Sequence, residues 1–163
     1  MSDYLFKKRV EVYDPNIKGL VEFETERQAR RLIMIPSESI APKAVRDLLA
    51  SPFTNIYAEG YPRPETRYQD EATIMDYAYQ LGRYRRHSDG RYYKGVEYVN
   101  MVEALARRRA AELFAANDLL PDDLWVNVQP LSGAPANTAV YTALIKPGDA
   151  ILGMDLLHGG HLT

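Results

Sequence analysis

The segment between residues 125 and 154 constrains the fold more than any other part of the sequence. Residues 125–128 are β-prone, residues 136–144 are helix-prone, and residues 150–154 form a second short apolar run after the turn at 146–149. A strand, a helix and a strand in this order close into a right-handed crossover with both strands parallel in one sheet. The segment therefore predicts an α/β fold with a parallel-rich sheet.

Apolar residues at spacings of three and four predict three more helices. The first begins near Pro42, whose ring suits the first helical position, and ends before the Ser-Pro pair that follows. The second covers residues 71–86 and the third covers residues 98–116. Two loops rich in aromatic residues, 55–64 and 91–95, separate these helices.

One face of each longer helix is predicted to enter the core. In the helix at 98–116, the arginine run at 107–109 is typical of a solvated face. The apolar stripe of that helix comprises Val99, Val102, Ala106 and Leu113. The stripe of the helix at 71–86 comprises Ile74, Tyr77, Ala78, Leu81 and Tyr84.

Composition argues against several classes of function. The chain has 20 Lys and Arg against 22 Asp and Glu, so its net charge of -2 gives no general attraction to nucleic acid or anionic lipid. The absence of cysteine excludes disulfides, thiolate metal sites and a cysteine nucleophile. No apolar run approaches the roughly 20 residues of a membrane span, and the polar start lacks the core of a secretory signal. We expect a cytoplasmic protein without nucleic-acid or membrane partners.

Two short motifs are candidates for binding a ligand. Ser132, Gly133 and Ala134 precede a helix, where free amide groups and the helix dipole favour an anion such as phosphate. By local sequence alone, an ordinary tight turn is the favoured interpretation. The glycines between His158 and His161 suit close approach of the backbone to a ligand. The two histidines are too close for one helical face and no third ligand is near, so a metal site is not expected.

Several polar and aromatic residues lie in loops, where scaffolds often present binding groups. Glu59 lies among aromatic residues that include Tyr57, and such a carboxylate can serve as a general acid or base. Tyr93 lies in the second aromatic loop, and Ser37 precedes a helix that it could simply cap. For each of these residues, ordinary packing or solvation is the competing interpretation. The patterns alone indicate an α/β domain with a candidate anion site.

Five segments, taken in order, resemble serine hydroxymethyltransferase, a family of fold-type I enzymes that use pyridoxal phosphate (PLP). No single motif carries the resemblance, which rests on the ordered set. The segments are residues 35–39 (Ile-Pro-Ser-Glu-Ser), 57–62 (Tyr-Ala-Glu-Gly-Tyr-Pro), 91–99, 127–134 and 146–163.

The resemblance implies how the chain would bind its cofactor and folate. Ser132, Gly133 and Ala134 would hold the phosphate of PLP, and His161 would stack on the pyridine ring. Tetrahydrofolate would be the one-carbon acceptor. The segment that meets folate in the family corresponds to Leu156, Gly160, His161 and Leu162.

The resemblance also implies roles at the amino-acid substrate. Ser37 would help to bind the carboxylate of serine or glycine. Tyr57, Glu59 and Tyr93 would be lent to the active site of the neighbouring subunit, with Glu59 as the proton-transfer group. The implied assembly is a homodimer with shared active sites.

The domain organisation follows from the same comparison. Residues 1–50 would form an N-terminal arm, interrupted by a turn at 14–16, and the first helices. Residues 51–163 would begin the PLP-binding large domain, with residues 63–90 as an atypical helical insertion. None of the six lysines matches the family's Schiff-base lysine. We therefore expect a fragment that is inactive alone and lacks the rest of the large domain and the C-terminal domain.

Departures from the family's motifs leave two alternatives open. Pro36, Ser39, Lys94 and Val96 replace the family's usual Ala, Asn, Gly and Cys, and residues 63–90 replace a residue or two. These changes permit a folate-independent β-hydroxy amino acid aldolase or transaldolase. The other alternative is a non-catalytic short protein that binds full-length relatives through the dimer surface.

Overall fold

The structure, a computed structural model, describes residues 9–87 and 90–161. Those residues contain seven α-helices and several single turns of 3-10 helix, but no β-strand. The chain divides into two compact units, Met1–Ser51 and Pro52–Thr163. The assignment of these units to an arm and to a large domain stays a prediction.

The first unit contains three helices, and none of its described residues is buried. The Asp14 carboxylate accepts hydrogen bonds from the amides of Asn16 and Ile17, both at 3.0 Å, and Pro15 occupies the first helical turn. The chain is interrupted at Asp14, as predicted, but residues 15 and 16 begin the next helix instead of completing a turn, because an N-cap followed by proline starts a helix here. The helices are α1 (Val10–Tyr13), α2 (Pro15–Arg30) and α3 (Lys43–Leu49).

In the second unit, two helices occupy the range predicted as one helix over residues 71–86. They are α4 (Glu71–Ile74) and α5 (Tyr77–Arg86). The break lies at Asp76, whose carboxylate accepts a hydrogen bond from the Tyr79 amide at 2.9 Å. Aspartate competes for backbone amides in this way, so it begins a new helix instead of continuing the old one.

The longest helix, α6 (Glu97–Phe114), is the centre of the second unit and packs against α4 and α5. Two 3-10 turns, Pro64–Tyr68 and Pro121–Asp123, also contact it. The small apolar core consists of Ile74, Met101 and Ala104, with partly buried side chains packed around them.

The buried face of α6 is not the predicted apolar stripe. Val102 is 48% exposed and Leu113 is 78% exposed, whereas Asn100 and Glu103 are buried. Hydropathy places polar residues outside, but these two have buried partners, which lowers the cost of removing them from water. The arginine run also differs from a purely solvated face. Its side chains contact the Val126 carbonyl, Glu112, Asp122 and Glu71.

The final helix, α7 (Gly133–Leu144), begins three residues before the predicted start. The predicted strands at 125–128 and 150–154 are not formed in the described part of the chain. A β-strand exists only where its backbone groups pair with a neighbouring strand, and apolar composition does not supply that partner. Although α7 is rich in apolar residues, none of its residues is buried.

Candidate functional site

Two loops of the second unit lie against each other and bring three predicted site residues together. The Tyr92 amide donates a hydrogen bond to the Glu59 carbonyl at 3.2 Å. The rings of Tyr57 and Tyr93 are 5.8 Å apart between centroids, with a tilt of 36°. Glu59 itself is exposed. The structure therefore places the exposed Glu59 in the same loop as Tyr57, whose ring contacts that of Tyr93.

The close approach of these loops depends on a glycine. Gly60 has φ of +94°, which is favourable for glycine and strained for other residues. A Cβ atom at this position would lie 2.8 Å from the Gly90 carbonyl oxygen and 2.9 Å from the Arg91 Cα. A side chain at position 60 would force the two loops apart.

The side chain of Arg91, in the second loop, is buried and only 1% exposed. Its Nε donates to Asn100 Oδ1 at 2.6 Å, and its Nη2 donates to Glu103 Oε2 at 2.5 Å. Its Nη1 donates to the carbonyl of Gly60 at 2.9 Å and to the carbonyl of Ala58. One guanidinium group thus joins the Glu59 loop to helix α6.

Gln129 extends this network to a third segment of the chain. Its Nε2 donates to Glu103 Oε1 at 2.9 Å and to the Gly60 carbonyl at 2.8 Å. Each carboxylate oxygen of Glu103 therefore has its own donor. We name the set Ala58, Gly60, Arg91, Asn100, Glu103 and Gln129 the loop-anchoring network.

The polar side chains of this network were not predicted from the sequence. Arg91 and Gln129 lie within segments that carry the family resemblance, which was an available signal. Asn100 and Glu103 are three residues apart on α6, so they share a helical face. A polar pair at that spacing beside buried apolar residues indicates a buried network only once a partner is known.

The described part of residues 63–90 is fixed to its surroundings by charged side chains. Arg109 of α6 donates to both carboxylate oxygens of Glu71, at 2.6 and 3.1 Å. The Arg67 guanidinium lies 4.0 Å from the centroid of the Trp125 ring, within cation–π distance. The segment is therefore attached to α6 and to the chain that follows it.

Within the same segment, Glu65 bridges two arginines. Its Oε1 lies 2.8 Å from Arg63 Nε and 3.0 Å from Arg83 Nη2. A hydrogen bond from its own backbone amide and the charges of these arginines lower the pKa of Glu65 below its ordinary value. The carboxylate therefore stays charged at neutral pH and acts as an ion-pair partner, not as a proton donor.

The predicted phosphate-binding residues lie at the start of α7. Ser132 is the N-cap residue, with extended backbone, and its side chain makes no capping hydrogen bond. Space around Gly133 is open, since apart from its chain neighbours and its own helix no atom lies within 4 Å of the position that a Cβ would take. Pro135 has no amide hydrogen, so Gly133 and Ala134 supply the first amide donors of the helix. This donor set fits an anion.

The remaining predicted residues lie elsewhere. Ser37 belongs to the first unit, in a turn closed by a hydrogen bond of 3.0 Å from the Glu38 amide to the Ile35 carbonyl. Leu156 is exposed in the 3-10 turn Leu156–His158, and His161 is also exposed. Leu162 lies outside the described residues.

Close packing of the backbone requires glycine at position 160, and the sequence did not predict this. Its amide donates to the Asp155 carbonyl at 2.9 Å. A Cβ at this position would lie 2.1 Å from the Met154 carbonyl oxygen, so the close approach at Gly160 is to the chain's own backbone.

The described residues contain no group of three or more His, Asp or Glu side chains placed to hold a metal ion. No helix among residues 9–87 and 90–161 is long and apolar enough to cross a membrane.

Comparison with known proteins gives a consistent result along the chain. The family model described as serine hydroxymethyltransferase matches residues 10–89 and 87–163. The chain is 46% identical over 154 residues to the serine hydroxymethyltransferase of Sulfurovum sp., covering 94% of this chain and 29% of the relative. Identity to the enzyme of that name from Kocuria rhizophila is 42% over 163 residues, covering 100% of this chain and 31% of the relative. The chain thus spans less than a third of the length of these curated relatives.

Proposed function

The chain belongs to the serine hydroxymethyltransferase family, and we propose that it is the N-terminal part of an enzyme that interconverts serine and glycine. PLP would be the cofactor and tetrahydrofolate the one-carbon acceptor. The observation that carries this proposal is the 42% identity to a named serine hydroxymethyltransferase across all 163 residues. The enzyme would be a cytoplasmic homodimer with shared active sites.

The fold proposed for the complete enzyme is the fold-type I large domain with its parallel sheet. Residues 125–128 and 150–154 would become strands of that sheet, and α7 would be the crossover helix that covers it. Exposed apolar side chains support this proposal. Leu131 is 93% exposed and Leu152 is 100% exposed, and helices as apolar as α7 are normally buried.

The cofactor phosphate would bind at the start of α7. The amides of Gly133 and Ala134 and the Ser132 hydroxyl are suitable donors, and the helix dipole favours the negative charge there. His161 would stack on the pyridine ring and orient it. When bound, PLP supplies an electron sink for the electrons released at the substrate carbon.

Four of the predicted loop residues would act on the amino-acid substrate. Ser37 would bind the substrate carboxylate, and Glu59 would transfer a proton in the site of the neighbouring subunit. Tyr57 and Tyr93 would shape that site through their packed rings. Leu156, Gly160 and Leu162 would lie along the folate.

The test uses the full-length protein and the variant Glu59→Gln, which removes the proton acceptor but keeps size and hydrogen-bonding capacity. We expect folate-dependent serine cleavage to fall by about 10²- to 10⁴-fold. PLP binding, measured by absorbance titration, should be retained. Glu112→Gln is the matched control, since Glu112 is an exposed partner of Arg108 on α6.

Two outcomes would contradict the proposal. Normal turnover by Glu59→Gln would remove Glu59 from the mechanism. Equal cleavage of β-hydroxy amino acids with and without tetrahydrofolate would instead indicate the folate-independent aldolase.

A hybrid dimer of Glu59→Gln with a variant at the Schiff-base lysine tests the shared site, because one of its two sites then holds both native groups.

A further inference from the structure

The backbone of the Glu59 loop is held at three consecutive carbonyl groups. Those of Ala58 and Gly60 accept hydrogen bonds from Arg91 Nη1, and that of Glu59 accepts one from the Tyr92 amide. The Gly60 carbonyl also accepts from Gln129. The Glu59 side chain is exposed while its backbone is fixed. The network therefore sets the position of the backbone from which the carboxylate extends.

The other end of the network is anchored on the longest helix. Glu103 is 9% exposed and Arg91 is 1% exposed, so both charges are removed from water. A buried ion pair gives little net stability compared with apolar residues of the same volume, because desolvation of the charges offsets their attraction. General stability is therefore a poor explanation for this arrangement. Fixed geometry at the Glu59 loop is a better one.

Arginine suits this function in a way that lysine does not. The guanidinium group presents its donors in a rigid planar fork, and here Nε, Nη1 and Nη2 all bind different acceptors. A lysine ammonium carries the same charge at a single point, so it cannot hold α6 and two loop carbonyls in one geometry.

We propose that Arg91 is a positioning residue that sets the Glu59 loop for proton transfer, with Glu103 and Gln129 holding its guanidinium and the loop in register. The inference rests on the proposed function of Glu59. Arg91 has no contact with substrate in this proposal and acts only through the loop backbone.

The test compares Arg91→Lys with wild type in the full-length enzyme. Small misplacements of reacting groups cost about 10²-fold in rate, so we expect kcat for folate-dependent serine cleavage to fall by roughly ten- to a hundredfold. The KM for serine should change less than about threefold, because the lost interaction does not bind serine. Arg109→Lys is the control, since Arg109 forms an exposed ion pair with Glu71.

A second measurement does not depend on activity. Hydrogen exchange at the Tyr92 amide, the donor to the Glu59 carbonyl, should become faster in Arg91→Lys, while exchange along α7 stays unchanged. In Arg91→Ala, added methylguanidinium should restore part of kcat and slow the exchange again. A purely structural defect would not respond to a small guanidinium compound.

A gentler variant keeps the test decisive if changes at Arg91 prevent folding. Gln129→Met removes one of the two side-chain donors to the Gly60 carbonyl and should also lower kcat, by a smaller factor. Wild-type kcat in Arg91→Lys would overturn the proposal, as would reduced kcat with unchanged exchange at Tyr92. If Arg91→Lys does not fold, wild-type kcat in Gln129→Met would overturn it instead.

The double variant Glu59→Gln/Arg91→Lys separates this inference from the proposed function. If Arg91 acts through Glu59, the double variant should be no slower than Glu59→Gln alone. Multiplicative losses would show that Arg91 acts by another route and would overturn the inference. Normal turnover by Glu59→Gln alone would instead overturn the proposed role of Glu59.

Discussion

The loop-anchoring network and the start of α7 differ in what holds them in place. The Glu59 loop is fixed by the buried side chain of Arg91, which is bound in turn to buried residues of α6. Helix α7, which carries the proposed phosphate donors, has no buried residue. The chain's own contacts therefore position the proposed proton-transfer group. The start of α7 has no comparable buried anchor among the described residues.

The largest effect is expected when one charge of the loop-anchoring network is removed. Glu103→Ala leaves the Arg91 guanidinium buried without its counter-charge, which should cost about 3–5 kcal/mol. The free energy of local opening, measured by hydrogen exchange at α6 amides of the full-length protein, checks this value. Glu112→Ala removes an exposed glutamate of the same helix and should change it by less than about 0.5 kcal/mol. Equal losses of opening free energy in the two variants would show that the buried pair contributes no more than an exposed glutamate does.

The next effect tests the close approach of the loops. Gly60→Ala puts a Cβ against the Gly90 carbonyl at a positive φ and should cost about 1–3 kcal/mol. Gly82→Ala is the opposite control, because Gly82 lies inside α5 and the added Cβ would have no atom within 4 Å apart from its chain neighbours and the helix's own backbone. It should stabilise the protein by about 0.5–1 kcal/mol. Thermal unfolding of both variants measures these changes in stability. An unchanged stability in Gly60→Ala would mean that the loops can separate.

A smaller effect concerns the other side of the comparison. His161→Ala should weaken PLP binding by about two- to tenfold, the value of one aromatic stacking contact. His158→Ala should do less, since the described contact of His158 is an exposed approach of 3.6 Å to Asp155. Absorbance titration of full-length protein with PLP measures both. If only the His158 change weakens binding, the stacking residue is wrongly assigned.

The smallest effect sharpens the contrast between buried and exposed ion pairs. Arg109 and Glu71 are 59% and 47% exposed, so Arg109→Ala should change thermal unfolding much less than Glu103→Ala does. Salt at about 1 M, where the Debye length is about 3 Å, should reduce the effect of Arg109→Ala further. A large effect that resists salt would contradict this expectation.

The same exposed pair has a defined pH dependence. The hydrogen bond from Arg109, followed by its charge, lowers the pKa of Glu71 below the ordinary value. The carboxylate is favoured in the folded state, so its contribution is present above the unfolded-state pKa and is lost as pH falls through the lowered pKa. NMR titration of Glu71 in wild type and Arg109→Ala checks the direction, and an unchanged Glu71 pKa in the variant would contradict it.

The sequence by itself determined the family and the presence of most helices. Ordered motifs identify the serine hydroxymethyltransferase family without any knowledge of tertiary structure, and the matching family model confirms it. Helical spacing predicted a helix that closely matches α6, and helix-prone residues predicted one that overlaps α7. These features depend on local backbone preferences and on residue order, both of which are present in the sequence.

Only the tertiary structure decided which face of α6 is buried and what fixes the Glu59 loop. Hydropathy treats Asn100 and Glu103 as surface residues, because it counts each side chain without its partner. Their partner Arg91 is 9 and 12 residues away, and Arg91 in turn reaches carbonyls 31 and 33 residues away. Burial of a polar group depends on whether such distant groups meet it in three dimensions, and the order of residues alone does not specify that meeting.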